Sequence, residues 1–147
     1  MAIKRILHAS DFSSASRPAF RLAQELARVF RSELILCHAY QVVVPMMAEL
    51  PPQILQDMWT AQRRGATRRL DALARTVRSA RIRVSTLLLE GPPATAIVRA
   101  AKQKRAGLLV LGTHGRTGVT RMLLGSVAER VVRTARCPVL TVGTGGR

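Results

Sequence analysis

The chain has 147 residues, the size of one ordinary globular domain, and we expect a single domain over residues 1–147 with a flexible tail at 143–147. Hydrophobic residues make up 48% and charged residues 22%, a balance typical of a folded protein. No apolar run reaches the roughly 18 residues that a membrane-spanning helix needs, and the first residues lack the features of a signal peptide. Two cysteines are too few for a disulfide scaffold, so we expect a cytoplasmic protein.

The charge balance is the unusual feature of the composition. Lys and Arg number 24 against 8 Asp and Glu, which gives a net charge of +16. Such a charge is typical of proteins with a polyanionic partner, but it also fits a solvated, arginine-rich surface. Proteins that bind single strands place stacking aromatic rings among their basic residues. Because the chain has only one Trp, one Tyr and three Phe, we do not expect a nucleic-acid partner and keep a polyanion binder as an alternative.

The first third of the chain alternates strand-like and helix-like segments. Residues 3–9 and 33–39 are short, mainly apolar runs that predict strands. Between them, apolar residues recur with helical spacing over 16–30, and Ser14 or Ser16 can cap this helix. The predicted inward stripe of the helix consists of Ala19, Leu22, Ala23, Leu26, Ala27 and Phe30.

The same alternation continues to the end of the chain. The further predicted elements are a helix over 52–80, a strand over 81–89, a helix over 91–104, a strand over 108–111, a helix over 126–135 and a strand over 138–142. In the long helix, Met58, Ala66 and Leu70 belong to the apolar stripe, which is expected to face inward, and Gly65 is a place where the helix could bend. Its opposite face carries Arg63, Arg64, Arg68, Arg69, Arg75 and Arg78. Val132 belongs to the inward stripe of the last helix.

Strands that alternate with helices in this way predict an α/β protein, in which the strands are parallel and helices cover both faces of the sheet. Ligands of such sheets bind outside the carboxyl ends of the strands, where the strand order reverses. The segments that follow the first four strands are therefore the places where we expect a site.

The connection after the fourth strand, residues 112–126, is about twice as long as usual for an α/β unit. Gly112 and Gly115 let the backbone approach a ligand closely. Gly125 and Ser126 open the last helix, whose amino end can bind phosphate. A second interpretation is a capping box, in which Ser126 and the glutamate three residues later only terminate the helix. The Walker A pattern and the dinucleotide fingerprint are both absent.

The spacing Gly112-x-x-Gly115, nine residues, Gly125-Ser126 resembles the ATP-binding signature of the universal stress protein family. Further landmarks follow the family's order along nearly the whole chain. They are Asp11-Phe12-Ser13, His38-Ala39, Gly91-Pro92, Leu123-Leu124-Gly125-Ser126-Val127 and Cys137-Pro138-Val139. The resemblance implies a Rossmann-like open parallel sheet of five strands in the order 3-2-1-4-5, with helices on both faces. It also implies a homodimer joined through the last strand, Val139 to Val142, and an apolar edge strand of this kind needs such cover.

The resemblance also assigns roles to single residues. Asp11 would contact the ribose or adenosine side of ATP, and the backbone of Ala39 would contact adenine. Gly112, Gly115, Gly125, Ser126 and Val127 would cradle the phosphates. Arg116 either clamps a terminal phosphate or stays solvated. A Mg²⁺ ion could bridge the phosphates, without a protein cage of its own.

Other polar residues are less persuasive as functional groups. His8 replaces a residue that is usually apolar in the family, and we expect it to be packed and not catalytic. His38 is expected to be a structural histidine, and Cys37 and Cys137 small buried residues in strands. His114 has no nearby carboxylate in the sequence to orient it as a general base.

We therefore expect an ATP-binding universal stress protein that acts as a nucleotide-dependent sensor or regulator in the stress response and works on an unknown downstream protein. Neither a pair of acidic residues for two metals nor a nucleophile motif is evident, so we expect no enzyme, or at most a slow ATPase. Ordering of the 112–126 loop by phosphate would be the switching step. The alternatives are a protein of the same fold that prefers AMP or cyclic AMP, and a polyanion binder.

Overall fold

The computed structural model describes residues 3–41, 50–113 and 124–144. Within these ranges, five strands alternate with four α helices along the chain. The strands are β1 (Arg5–Ala9), β2 (Glu33–Tyr40), β3 (Val84–Glu90), β4 (Leu108–Gly112) and β5 (Val139–Val142). The helices are α1 (Arg17–Val29), α2 (Pro52–Ser79), α3 (Pro93–Gln103) and α4 (Ser126–Thr134). A single 3-10 turn, Ser14–Ser16, precedes α1.

The five strands form one parallel sheet in the order β3-β2-β1-β4-β5. The central strand β1 pairs with β2 on one side and with β4 on the other, so that Ala9 lies opposite Cys37 and Leu111. The strand order reverses between β1 and β4, because the chain leaves β1 toward β2 and β3 and returns to the other edge. The predicted fold class and strand order are confirmed.

Helices cover both faces of the sheet because the central strands are apolar on both faces, as buried parallel strands are. Ile6 and Leu34 face the α1 and α2 side, whereas Leu7 and Ile35 face the α3 and α4 side. All four side chains are at most 1% exposed. The small residues Ala19, Ala23 and Ala27 let α1 lie close to the sheet.

The prediction that a residue faces inward is wrong at three positions. Phe30, Met58 and Val132 are each nearly half exposed. Phe30 comes directly after the last residue of α1, and the last buried residue of that helix is Ala27. The 28 residues of α2 span about 42 Å, well beyond an eight-residue strand of about 26 Å, and its buried residues begin at Ala66. The helix runs unbroken through Gly65.

The polar residues of the core match most of the expectations. His8 is fully buried between β4 and α1, where its Nδ1 lies 3.1 Å from the Val110 carbonyl and its ring 5.6 Å from that of Phe20. Burial raises the pKa of the Cys37 thiol to about 12, so this cysteine behaves as a small apolar residue. Cys137 is half-buried and precedes β5, so its predicted place in a strand is wrong.

The arginines of α2 are exposed. In the part of the chain that the structure describes, only two ion pairs form, Arg5 with Glu33 and Arg133 with Glu129. None of the helices within the described ranges is long and apolar enough to cross a membrane.

Candidate functional site

A cleft of about 650 Å³ opens at the carboxyl ends of β1, β2 and β4, where the strand order reverses. Its volume lies within the range of pockets that bind small molecules. The amino end of α4 and the start of α3 line it from one face of the sheet, and the middle of α2 lines it from the other. Six of the predicted site residues line this cleft together, namely Asp11, Ala39, Gly112, Gly125, Ser126 and Val127.

Asp11 lies just beyond the carboxyl end of β1, in a tight turn. Its Oδ1 accepts hydrogen bonds from the Ser13 amide at 2.9 Å and from the Ser13 hydroxyl at 2.6 Å. These two bonds hold the carboxylate at the floor of the cleft. The turn also places Phe12 at φ = +64°, which is unusual for a bulky residue and costs free energy.

Ala39 lies at the end of β2, two residues beyond the last pair that β2 forms with β1. The Ser10 amide donates to the Cys37 carbonyl, so Cys37 directs its backbone groups toward β1. Backbone directions alternate along a strand, and Ala39 therefore directs its amide and carbonyl to the same side. Since β1 has ended there, this donor and acceptor pair faces the cleft. The Tyr40 carbonyl points the other way and accepts from the Gly91 amide.

The connection from β4 to α4 is fastened at both of its ends. The Thr113 amide donates to the Val142 carbonyl of β5 at 2.9 Å, and the Gly125 amide donates to the Thr113 carbonyl at 2.7 Å. Gly125 is the residue that caps α4, and Ser126 is the first residue inside the helix. The capping-box interpretation of Ser126 is therefore wrong, because no side chain caps α4.

The amino end of α4 consequently presents backbone amides to the cleft. Ser126 is exposed and Val127 half-buried, and both line the cleft. The first amides of a helix have no partner within the helix, and the helix dipole gives this end a partial positive charge. This end can therefore bind an anion such as phosphate.

Two predicted site residues, Gly115 and Arg116, lie outside the described residues, and their proposed roles at the phosphates stay predictions. His114 also lies outside the described residues.

Four residues of α2 that sequence analysis did not assign to a site also line the cleft, namely Gln62, Gly65, Ala66 and Arg69. The pattern i, i+3, i+4, i+7 places them on one stripe of the helix. Ala66 was predicted to face inward, so its neighbours on that stripe could have been found from the spacing. Arg69 was predicted on the face opposite the apolar stripe; it is exposed, and it also lines the cleft.

His38 also lines the cleft, and its Nδ1 lies 2.8 Å from the Ser10 carbonyl, as expected of a structural histidine with a hydrogen-bond partner. Its ring stacks on Phe12 at 4.4 Å. The neighbouring His8 is neutral over a wide pH range. Burial lowers its pKa to about 4, against smaller opposing effects of the Val110 carbonyl and of the Asp11 charge.

Comparison with known proteins agrees with this architecture. The sequence model of the universal stress protein family matches residues 2–143. A universal stress protein of Methanocaldococcus jannaschii is 36% identical over 141 residues, which cover 95% of this chain and 81% of the relative.

Two solved structures share the fold. Universal stress protein UspA from Lactobacillus plantarum superposes with a TM-score of 0.81 at 25% identity, over 97% of this chain and 99% of that one. A universal stress protein in complex with cAMP superposes with a TM-score of 0.68 at 26% identity, over 99% and 100% of the two chains. With a family match across nearly its whole length, this chain belongs to the universal stress protein family.

Proposed function

We propose that this protein binds ATP in the cleft and acts as a nucleotide-dependent sensor or regulator in the stress response. The observation that carries the proposal is the amino end of α4, which no side chain caps and which opens into the cleft. A phosphate group there accepts hydrogen bonds from amides that have no partner within the helix.

The other two parts of the nucleotide have complementary groups in the same cleft. The backbone of Ala39 supplies one donor and one acceptor side by side, which is what the edge of adenine needs. The Asp11 carboxylate accepts hydrogen bonds from ribose hydroxyls. The phosphates then reach Gly112, Gly125, Ser126 and Val127, with Gly115 and Arg116 completing the cradle.

Mg²⁺ fits this arrangement as a companion of the nucleotide. The amides of α4 are neutral, so they do not balance the charge of a triphosphate, and a Mg²⁺ ion held by the phosphate oxygens would. Among the described residues, no group of three His, Cys, Asp or Glu side chains could hold a metal ion. The phosphates would therefore supply most of its ligands.

The proposal treats binding, and not turnover, as the activity, so hydrolysis of ATP would be slow at most. The protein would work in the cytoplasm as a homodimer joined through β5 and would pass the nucleotide-bound state to a downstream protein. β5 stands at one edge of the sheet, and all four of its residues are half-buried in the single chain, which supports this contact.

A preference for AMP or cyclic AMP is the second candidate, and the relative in complex with cAMP favours it. The same cleft would hold these ligands with fewer charges at the amino end of α4. A polyanion binder is the third candidate, because the exposed arginines of α2 attract any phosphate polymer.

A thermal melt separates these candidates. The protein is unfolded with Mg-ATP, Mg-GTP, AMP, cyclic AMP and tripolyphosphate at matched ionic strength. A ligand at about 100 times its dissociation constant adds ~2.7 kcal/mol of stability. For a domain of this size that raises the melting temperature by roughly 5–10 °C. A shift with Mg-ATP alone supports the proposal, and a larger shift with AMP or cyclic AMP supports the second candidate. Equal shifts with Mg-ATP, Mg-GTP and tripolyphosphate would overturn both.

A further inference from the structure

The wall of the cleft opposite α4 carries a cation that the proposed function does not use. α2 packs on the face of the sheet opposite to α3 and α4, and its residue Arg69 contacts Phe12 in the turn after β1. Among the cleft-lining residues that the structure describes, Asp11 has the only carboxylate and Arg69 the only guanidinium or ammonium group. The two walls of the cleft are therefore different: α4 offers backbone amides and α2 offers a full positive charge.

Arg69 is held in place by a stack of rings. Its guanidinium carbon lies 5.6 Å from the centre of the Phe12 ring, and that ring lies 4.4 Å from the ring of His38. His38 is in turn fixed to the Ser10 carbonyl. A guanidinium over an aromatic face gains about 0.5–1 kcal/mol at an exposed site. The left-handed backbone of Phe12 is what brings its ring under the guanidinium, and that conformation is costly for a bulky residue.

The hydrogen-bonding groups of Arg69 stay available for a ligand. Within the described parts of the chain, Arg69 forms neither an ion pair nor a hydrogen bond. The Phe12 ring offers the guanidinium no oxygen or nitrogen acceptor, so its N–H groups stay open to the acceptors of a ligand. Such groups match phosphate oxygens well, because a guanidinium can donate two parallel hydrogen bonds to one phosphate.

We propose that Arg69 donates hydrogen bonds to a phosphate group of the nucleotide in this cleft, and that it thereby sets the preference for phosphorylated nucleosides over the bare nucleoside. Phe12 is its positioning residue. This inference rests on the proposed function, since it names the group on α2 that recognises the same ligand from the side opposite α4.

The test compares Arg69→Gln with Arg68→Gln. Both changes remove one positive charge from neighbouring positions of the same helix, but Arg68 is exposed and does not line the cleft. Dissociation constants for adenosine, AMP and Mg-ATP are measured by calorimetry at constant ionic strength. A hydrogen bond to a charged group contributes enough that we expect roughly ten- to hundredfold weaker binding of AMP and Mg-ATP by Arg69→Gln. Adenosine should bind within about twofold of the wild-type protein, and Arg68→Gln should resemble the wild type for all three ligands.

Two further variants separate the contact of the Arg69 guanidinium with phosphate from its positioning by Phe12. Arg69→Lys keeps the charge without the planar fork, so it should recover only part of the phosphate affinity. Phe12→Leu keeps an apolar side chain but removes the aromatic face, and it should weaken AMP and Mg-ATP selectively and by less than Arg69→Gln. Melting temperatures of the free variants check that each one is folded.

The outcomes are distinguishable. If the wild-type protein binds none of the three ligands, the proposed function itself fails. If it binds them and Arg69→Gln matches Arg68→Gln, the role of Arg69 is overturned. An equal loss for adenosine and for the phosphorylated ligands would also overturn it, because Arg69 would then act on the base or the sugar.

Discussion

The Gly125 amide donates a hydrogen bond of 2.7 Å to the Thr113 carbonyl, and this bond ties the start of α4 to the end of β4. Thr113 in turn donates to Val142, so the tie extends to the edge strand β5. The amino end of α4 is thus fixed relative to the sheet without any contribution from a side-chain cap. A rigidly placed helix end is a better anion site than a mobile one, since the amides are already oriented when the ligand arrives.

Replacing Gly125 by alanine tests why a glycine stands there. Its backbone angles, φ = −57° and ψ = 148°, are open to every residue, so the backbone conformation does not require glycine at this position. We expect Gly125→Ala to leave the melting temperature unchanged or slightly raised, because alanine has less freedom in the unfolded chain. Binding of Mg-ATP should weaken by tenfold or more, because the added methyl group stands where a phosphate approaches the amides of α4.

The comparison uses thermal melts with and without Mg-ATP on both proteins. Wild-type affinity in Gly125→Ala would mean that no ligand approaches this glycine closely, and the phosphate site would have to lie elsewhere. Gly125→Pro is the matched variant that tests the hydrogen bond between Gly125 and Thr113. Proline keeps these backbone angles but removes the amide that donates to the Thr113 carbonyl.

Asp11 has a structural and a proposed binding role, and two substitutions separate them. Asp11→Asn keeps an oxygen that can accept from Ser13, whereas Asp11→Ala removes both hydrogen bonds of the turn. We expect Asp11→Ala to lose about 1 kcal/mol of stability, comparable to the loss of a helix cap, and Asp11→Asn to lose less. Both should bind Mg-ATP more weakly, with tripolyphosphate binding unchanged, since a ribose contact is absent from that ligand. Equal losses for both ligands in calorimetry would contradict the ribose assignment.

The elements and the place of the cleft could be predicted from patterns within single segments, whereas the strand order was implied by the resemblance of the glycine signature to the universal stress protein family. Apolar runs and helical spacing define the elements, and parallel strands joined by helices leave few arrangements. Asp11 follows the first strand and Ala39 lies near the carboxyl end of the second, so their place at the carboxyl edge follows from the order of elements. The exposure of Met58 could not be predicted in the same way, because the spacing does not say how far α2 extends beyond the sheet.

The place of Arg69 at the cleft was missed for a related reason. Its contact with Phe12 joins two elements that are far apart in sequence and depends on a left-handed turn at Phe12. Neither the apolar periodicity nor the signature glycines contain that information. An arginine on a helix with many arginines is then assigned to the solvated surface by default, although the stripe shared with Gln62 and Ala66 leads to the cleft.

His8 makes the stability of the protein depend on pH below neutrality. Burial lowers its pKa in the folded protein to about 4, from 6.5. As the pH falls below 6.5, His8 becomes protonated in the unfolded chain but stays neutral in the folded protein. The free energy of unfolding therefore declines until about pH 4, and above about pH 7 His8 has no effect on it. Between pH 7.5 and pH 5 we expect His8 to cost the protein about 2 kcal/mol.

His8→Leu is the control for this dependence, since leucine fills a similar volume and does not titrate. The free energy of unfolding of both proteins is measured by urea titration at the two pH values. The wild-type protein should lose about 2 kcal/mol more than the variant over this interval. Parallel losses in both proteins would show that other groups cause the decline.

The proposed dimer can be tested at the free edge of β5 without breaking the sheet. The carbonyls of Pro138 and Val142 accept hydrogen bonds from Leu109 and Thr113, so these residues direct their backbone groups toward β4. Because backbone directions alternate along a strand, Leu140 also directs its amide toward β4, and Thr141 directs its amide away from β4, toward the edge of the sheet.

Proline is tolerated on an edge strand where the missing amide would have faced outward. Thr141→Pro should therefore shift a dimer toward monomer in light scattering, whereas Leu140→Pro should lower the melting temperature because it removes a bond to β4. A Thr141→Pro variant that keeps the wild-type mass in solution would rule out pairing through this strand.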